Sequence, residues 1–401
     1  MKMKFLLIAV CSFFSVNFLF SQQDFQGISG INFDNYPIVD GSTSSRALNQ
    51  MIACKLLGVR YEWVPNIVLE WYLSANQEDI PEQHKDFFQK NILTSQTNGA
   101  FMNLIDGKVD VILTHRIISP DEKAYAETKG VSLIETPIAL DAFVFVVHKS
   151  NPVKTLTVNE IQEIYTKEIT NWSEVGGNNV DIKVFTRPRN SGSEEVFREV
   201  VMKGLEPSEF PESAIGGMAG VFTEINANAD AICYTFMNYK EMITRISDNV
   251  IPKLSINGVF PNETTVKNRT FPFISEVHVA IRSDLDQNSM AYKLYEWLQT
   301  PSGKSVAEES GFFPYETSDN SIKQISNQRI QILPNPTEGI IEIRGIEDYS
   351  NLNYEVYNSI GQIIQSGSLK QTIDLSNRKG LNILTIMQNQ QIIAREKIMV
   401  R

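Results

Sequence analysis

The hydrophobic pattern of this chain changes once, near residue 317, and that break constrains the fold more than any other feature. From about residue 27 to 316, apolar runs alternate with amphipathic stretches. "IVD" precedes "STSSRALNQMIACKLLG", "VDVIL" precedes "SPDEKAYAETKG", and "ALDAFVFVVHK" precedes "TVNEIQEIYTKEITNW". Short β-rich runs followed by a helical period predict an α/β architecture with sheets covered by helices. "QNSMAYKLYEWLQTPSGKSVAEESGFFP" reads as two helices and a terminating turn. Residues 317–329 are polar, carry no apolar stripe and read as a linker. Beyond them "GIIEIRG", "NYEVYNS", "GQIIQSG", "QTIDLS", "LNILTIMQ" and "QIIAREKIMV" are short, β-prone and separated by Gly, Asn or Ser. That spacing predicts a small all-β sandwich over residues 330–401.

The first 21 residues set the compartment. Lys2 and Lys4 precede a mostly apolar run from Phe5 to Phe20, and Ser21 is followed by Gln22, Gln23 and Asp24. This is the pattern of a removable secretory signal. Cys11 does not suit a lipid anchor, because it sits early in the apolar run behind Val10. No other stretch has the length and apolarity of a membrane span.

The formal net charge is −11, and losing the signal removes two lysines and no acid. No basic face of the density that nucleic acid requires is present, so any anion site must be built locally from a few side chains and helix ends. Cys54 and Cys233 lie in apolar surroundings and read as two buried free thiols rather than a disulfide. His84, His115, His148 and His278 have no ligand spacing, so neither a metal site nor a cofactor is expected.

Three segments share one chemical logic. In "VDGSTSSRAL", a strand leads through Gly41, Ser42 and Thr43 into a helix. In "DVILTHRIIS", Thr114, His115 and Arg116 follow a strand. In "VFTRPRNSGSEEVF", Arg187 precedes Ser191, Gly192 and Ser193 at a helix start. A serine there is first of all an N-cap, worth about 1 kcal/mol. Yet a helix start also offers unpaired N–H groups and partial positive charge, to which hydroxyls add neutral donors and arginine a bidentate fork. Three such loops converging would enclose a tetrahedral oxyanion.

The motifs also resemble a known family. "NPVKTLTVNEIQEIYTKEITNWSEVGG" (151–177) is similar to a segment of the phosphate-binding proteins of ABC-type uptake systems. "GKVDVILTHR", "ADAICYTF" and "RTFPFISEVHVAIRSD" follow in that family's order, with "GSTSS" at its first phosphate loop. The resemblance covers about residues 30–316. It implies a two-lobed, periplasmic-binding-protein-like fold over 22–316, with the second lobe at roughly 145–275 and the ligand between the lobes. It implies ligand contacts from Gly41, Ser42, Thr43, Thr114, His115, Arg116, Arg187, Ser191, Gly192 and Ser193.

Two departures stand out: His115 replaces a serine, and Glu194 stands where an arginine is common. Glu194 and Glu195 are read as ordinary acids of a first helical turn. Binding HPO4 near neutral pH also benefits from an acceptor for its hydrogen; Asp40 and Asp141 are candidates by proximity, and His115 is a pH-sensitive contact candidate.

"LPNPTEGIIEIRG", "YEVYNSIGQIIQSG" and "AREKIMVR" resemble the C-terminal sorting domain of the type IX secretion system, with Asn382 where an aromatic is usual. Together the two resemblances imply a non-enzymatic, monomeric solute-binding protein. It would be secreted or carried at the cell surface, with the periplasm as the alternative compartment. Its partners would be phosphate or a similar oxyanion, the type IX machinery, and an uptake permease or outer-membrane receptor. The rival readings are a secreted phosphoryl-group hydrolase and a surface adhesin that keeps the fold without the ligand.

Overall fold

The computed structural model describes residues 25–66, 70–189, 191–210, 214–315, 331–344, 349, 352–358, 363–388 and 391–401. The signal and the linker expected from the sequence lie outside the described residues. Two compact units are present, residues 1–315 and 316–401.

Among its described residues the first unit has eleven strands: β1 (Val39–Gly41), β2 (Tyr61–Pro65), β3 (Trp71–Ala75), β4 (Val111–Thr114), β5 (Leu133–Val147), β6 (Thr155–Leu156), β7 (Lys183–Val184), β8 (Ala231–Phe236), β9 (Ser255–Ile256), β10 (Ile274–Arg282) and β11 (Phe313–Pro314). The main sheet runs β1-β4-β10-β5-β8-β7, with β11 also on β5. β2 pairs β3 and β6 pairs β9 in two separate ribbons. The helices are α1 (Arg46–Leu57), α2 (Phe87–Asn91), α3 (Gln96–Ile105), α4 (Pro120–Lys129), α5 (Val158–Thr166), α6 (Gly192–Val196), α7 (Gly220–Ala227), α8 (Glu263–Lys267), α9 (Met290–Trp297) and α10 (Pro301–Glu309).

β5 creates the two lobes. Its residues 133–142 pair with β10, while Phe143–Val147 pair with β8. The run from Ile138 to Val147 is buried throughout, as expected of a strand covered on both faces. On either side of the change of partner lie two apolar cores. One contains Leu48, Met51, Val111, Leu113, Val279 and Leu294; the other contains Phe145, Tyr165, Phe197, Tyr234 and Phe273. In the second, Phe197 and Tyr234 stack at 4.7 Å and Tyr165 lies 4.6 Å from Phe197. Trp172 is fully buried there, and its Nε1 donates to the Asp230 carbonyl at 2.8 Å, so the indole is buried without an orphan donor.

Local signals fix the helix ends. Ser119 and Thr157 form capping boxes with Glu122 and Glu160, and Pro120 takes the first position of α4. Among the described residues no helix is long and apolar enough to cross a membrane.

The second unit packs the sheet β12 (Gln331–Leu333), β13 (Ile340–Arg344) and β16 (Thr372–Asp374) with the sheet β15 (Ile363–Ser368), β14 (Leu352–Tyr357), β17 (Gly380–Gln388) and β18 (Gln391–Val400). Ile341, Ile343, Val356, Leu384, Ile386 and Ile398 fill the space between them. Asn382, buried where the resemblance calls for an aromatic, donates from Nδ2 to the carbonyls of Arg378 and Gly380 at 2.6 and 3.0 Å. The polar side chain is thereby satisfied inside the sandwich.

Cys54 and Cys233 are both free and buried, and burial pushes each thiol up to about 12. Both should resist a thiol-specific chromogenic reagent in the native chain and react once denaturant is added; rapid labelling of either in the folded protein would contradict this packing.

Candidate functional site

The first loop is built around a glycine that nothing else can replace. A methyl group on Gly41 would lie 2.6 Å from the Leu113 carbonyl and 2.7 Å from both Asn49 Nδ2 and Ser45 Oγ. This packing presses the loop onto β4 and turns the chain into a short helical turn, Thr43–Ser45, that runs into α1. Ser42 caps the turn, its Oγ accepting from the Ser45 amide at 3.2 Å. A row of hydroxyls follows: Ser42 Oγ is 3.1 Å from Ser44 Oγ and 2.9 Å from Ser45 Oγ.

The third loop carries a charge. Arg187 follows β7 and is nearly buried. Its amide donates to Tyr234 Oη at 3.0 Å, its Nη1 to the Ile215 carbonyl at 2.7 Å and its Nε to Ser193 Oγ at 3.3 Å. Nη2 has no protein partner among the described residues. Burial lowers the Arg187 pKa from its ordinary value, but a guanidinium remains charged at neutral pH. Ser191 caps α6, with its Oγ accepting from the Glu194 amide at 3.3 Å.

These two loops face each other across a cleft of about 300 Å³. Ser42, Thr43, Arg187, Ser191, Gly192 and Ser193 line it. Gly41 lies behind, as the packing piece described above. The second loop is spent elsewhere. Thr114 donates its hydroxyl to the Arg116 carbonyl at 2.8 Å. Arg116 forms a buried fork with Glu122, both contacts at 2.7 Å, and stacks over Phe101. His115 is buried against Phe236, with Nδ1 2.9 Å from Ser44 Oγ and Nε2 3.3 Å from Asp141 Oδ2. It orients the serine row from behind and does not line the cleft.

The two carboxylates nominated as acceptors also lie outside the lining. Asp40 Oδ1 accepts from the amides of Gly41 and Ser95, and its Oδ2 from Asn103. Asp141 Oδ1 accepts from the amides of Ala142 and Asn238. Glu194 is held by Tyr234 Oη and Arg198, and burial raises its pKa. It too stays outside the cleft.

Sequence reasoning missed several lining groups. Gln96 and Thr97 open α3, and Gly216, Gly217, Met218 and Ala219 lead into α7. Four helical starts therefore point at one space, concentrating unpaired amides and partial positive charge. "TSQTNG" has the small-polar-before-helix pattern of the other loops and could have been found by it. Ser44, Glu70 and Tyr239 complete the polar part of the wall. Among the described residues no cluster of three or more His, Cys, Asp or Glu could hold a metal.

Two lobes joined by shared strands, with a donor-lined cleft between them, define a solute-binding domain. Residues 68–302 match the family model of the PBP superfamily domain, and the chain belongs to that superfamily. Residues 331–401 match the secretion system C-terminal sorting domain; the tail is a type IX sorting domain and directs the protein to the cell surface.

The chain is 26% identical over 253 residues to protein SphX of Synechococcus elongatus, covering 60% of this chain and 73% of that protein. It is 24% identical over 196 residues to the phosphate-binding protein PstS of Bacillus subtilis, covering 48% of this chain and 61% of the relative. A Clostridium perfringens protein assigned as a phosphate ABC transporter substrate-binding protein, solved with phosphate bound, has the same fold. Its TM-score is 0.51 at 21% identity, covering 69% of this chain and 98% of that one.

Gly192 marks where the lobes meet. A methyl group there would lie 2.2 Å from Thr97 Oγ1, across the cleft. Gly192→Ala should cost about 1–3 kcal/mol of closure, roughly ten- to hundred-fold in ligand affinity, with the melting temperature of the ligand-free chain little changed. Thr97→Ala in the same chain should restore part of the loss, as read by calorimetric titration with phosphate.

Proposed function

We propose that this chain is an exported, non-enzymatic solute-binding protein that captures inorganic phosphate, or a closely related oxyanion, between its two lobes. The observation that carries the reading is the convergence of four helical starts on a cleft that Arg187 also lines, its Nη2 without a protein partner among the described residues. An overall acidic chain gains nothing from its global field at such a site, so affinity must come from donors fixed in place. The phosphate-binding protein PstS of Bacillus subtilis, a relative of this chain, points by its name to the same ligand class.

In this account the anion sheds its water and takes hydroxyl and amide donors from Ser42 and Thr43 on one lobe and from Ser191, Gly192 and Ser193 on the other. Arg187 supplies the charge. Contacts from both sides favour the closed arrangement, so binding and lobe closure are one equilibrium. The sorting tail places capture at the cell surface or in the medium, and an uptake permease or outer-membrane receptor is the expected recipient. The chain acts as a monomer.

Calorimetric titration of the ligand-stripped full chain with phosphate tests the reading. Arg187→Ala should weaken binding roughly 10- to 100-fold by removing a charge-assisted contact from a dry cleft. A chromogenic phosphate ester should turn over no faster than in buffer. An unchanged dissociation constant in the variant would remove Arg187 from the site, and steady hydrolysis would favour an enzyme.

A further inference from the structure

The two lobes touch at a second place, beside the anion cleft. The β2–β3 hairpin belongs to the first lobe: Leu73 sits in that lobe's apolar core, and β3 packs on α1. The hairpin also meets the helical segment Tyr239–Thr244, which follows β8 in the second lobe. Trp63 packs against the apolar cores of both lobes. Because Trp63 pairs with Leu73 and Pro65 with Trp71, the two indoles lie on one face of the hairpin. The Arg245 guanidinium stacks on that face, 3.9 Å from the Trp71 ring centroid and 5.5 Å from that of Trp63. Beside them Tyr239 Oη donates to Glu70 Oε1, a further tie between the same two elements.

Arg245 is an unexpected residue for its backbone. It ends the helical segment at φ 53° and ψ 25°, in the left-handed region that favours glycine or asparagine. A long side chain held in such a conformation points to a role for what it touches. The loop behind it is fixed. Lys240, fully buried, donates to the Ile246 carbonyl at 2.7 Å and to Asp248 at 2.8 Å, and Asp248 also meets Lys253 at 3.3 Å. The guanidinium is therefore presented to the hairpin from a rigid frame. A cation over two half-buried indoles is attracted by the negative faces of the rings. Parting the lobes separates the cation from both.

Taking its ligand from the phosphate reading above, we infer that Arg245, Trp63 and Trp71 form a clasp that holds the lobes together before any anion arrives. None of the three is among the described residues that line the cleft, so the clasp acts without touching the ligand. It sets how much of the ligand-free chain is already in the binding-competent form, and the apparent affinity scales with that fraction. Donors on both lobes are then in place when the anion enters, which lowers the ordering cost of capture.

The test is calorimetric titration of the ligand-stripped full chain with inorganic phosphate, paired with small-angle X-ray scattering of the ligand-free chain. The chains compared are the wild type, Arg245→Gly, Arg245→Lys and Trp71→Leu. Glycine suits the left-handed backbone, so Arg245→Gly removes the clasp without straining the fold. Arg245→Gly and Trp71→Leu should each weaken phosphate binding roughly 2- to 30-fold. Each should also enlarge the ligand-free radius of gyration, and saturating phosphate should restore it. Arg245→Lys, which keeps the charge but loses the planar stack, should fall between them and the wild type. The losses should not add in the double variant Arg245→Gly, Trp71→Leu, because both remove one contact. Weakening in Arg245→Gly alone, with Arg245→Lys and Trp71→Leu like the wild type, would reduce Arg245 to a distant charge and overturn the clasp. Wild-type affinity in all three would overturn it and leave the phosphate reading standing. A wild type that binds no phosphate would overturn that reading, and scattering then decides the clasp: equal ligand-free radii for the wild type and Arg245→Gly would overturn it too.

Discussion

The strand Leu133–Val147 is the constraint on which the rest of the first unit depends. Its backbone pairs with β10 along one half and with β8 along the other, so the two lobes share a continuous sheet instead of a linker. A buried strand must pair its amides and carbonyls along its length, and any other register would leave them orphaned. At the change of partner Asp141 accepts from the Ala142 and Asn238 amides, tying the shared strand to the start of the second lobe's Tyr239 helix. The cleft lies beside this junction because the strands there end in loops that turn straight into helices.

The two arginines of the expected site show how burial sorts similar residues into different work. Arg116 is closed off by a bidentate pair with Glu122, Glu122 also accepting from Asn98 and the Ser119 amide. Removing one partner of such a buried pair leaves an uncompensated charge, a loss of about 3–5 kcal/mol, so the pair acts as scaffold. Arg187 instead spends Nε and Nη1 on Ser193 and the Ile215 carbonyl, and among the described residues nothing pairs with Nη2. The first arrangement fixes the loop behind the wall, and the second leaves a charge in the wall itself.

The alternating fold and its lobed form were legible because their signals are local. Ser119 with Glu122 and Thr157 with Glu160 announce helix starts, and the unbroken apolar run ending at Val147 announces a doubly covered strand. "TRPRNSGSEE" was legible as an anion seat for the same reason: cap, glycine and arginine sit within a few residues. The second loop was not, because an arginine ahead of a helix suits a ligand or a buried acid equally well, and only tertiary structure brings Glu122 round to it. His115 likewise finds Ser44 on one side and Asp141 on the other, partners 71 and 26 positions away. Glu70 had no local signal at all. It sits in a hairpin of ordinary alternation, and what matters is that Trp63 and Trp71 meet Arg245 on the other lobe.

The central claim is that an oxyanion lies between the lobes, held by the starts of helices from both. Arsenate, a close mimic of phosphate with a strong anomalous signal, allows the position to be seen directly. A crystal structure of the full chain grown with arsenate should show one anomalous peak within hydrogen-bonding distance of Ser42 or Thr43 on one side and Arg187 and Ser193 on the other. An empty cleft, or a peak beside Arg116 and His278 instead, would contradict the account.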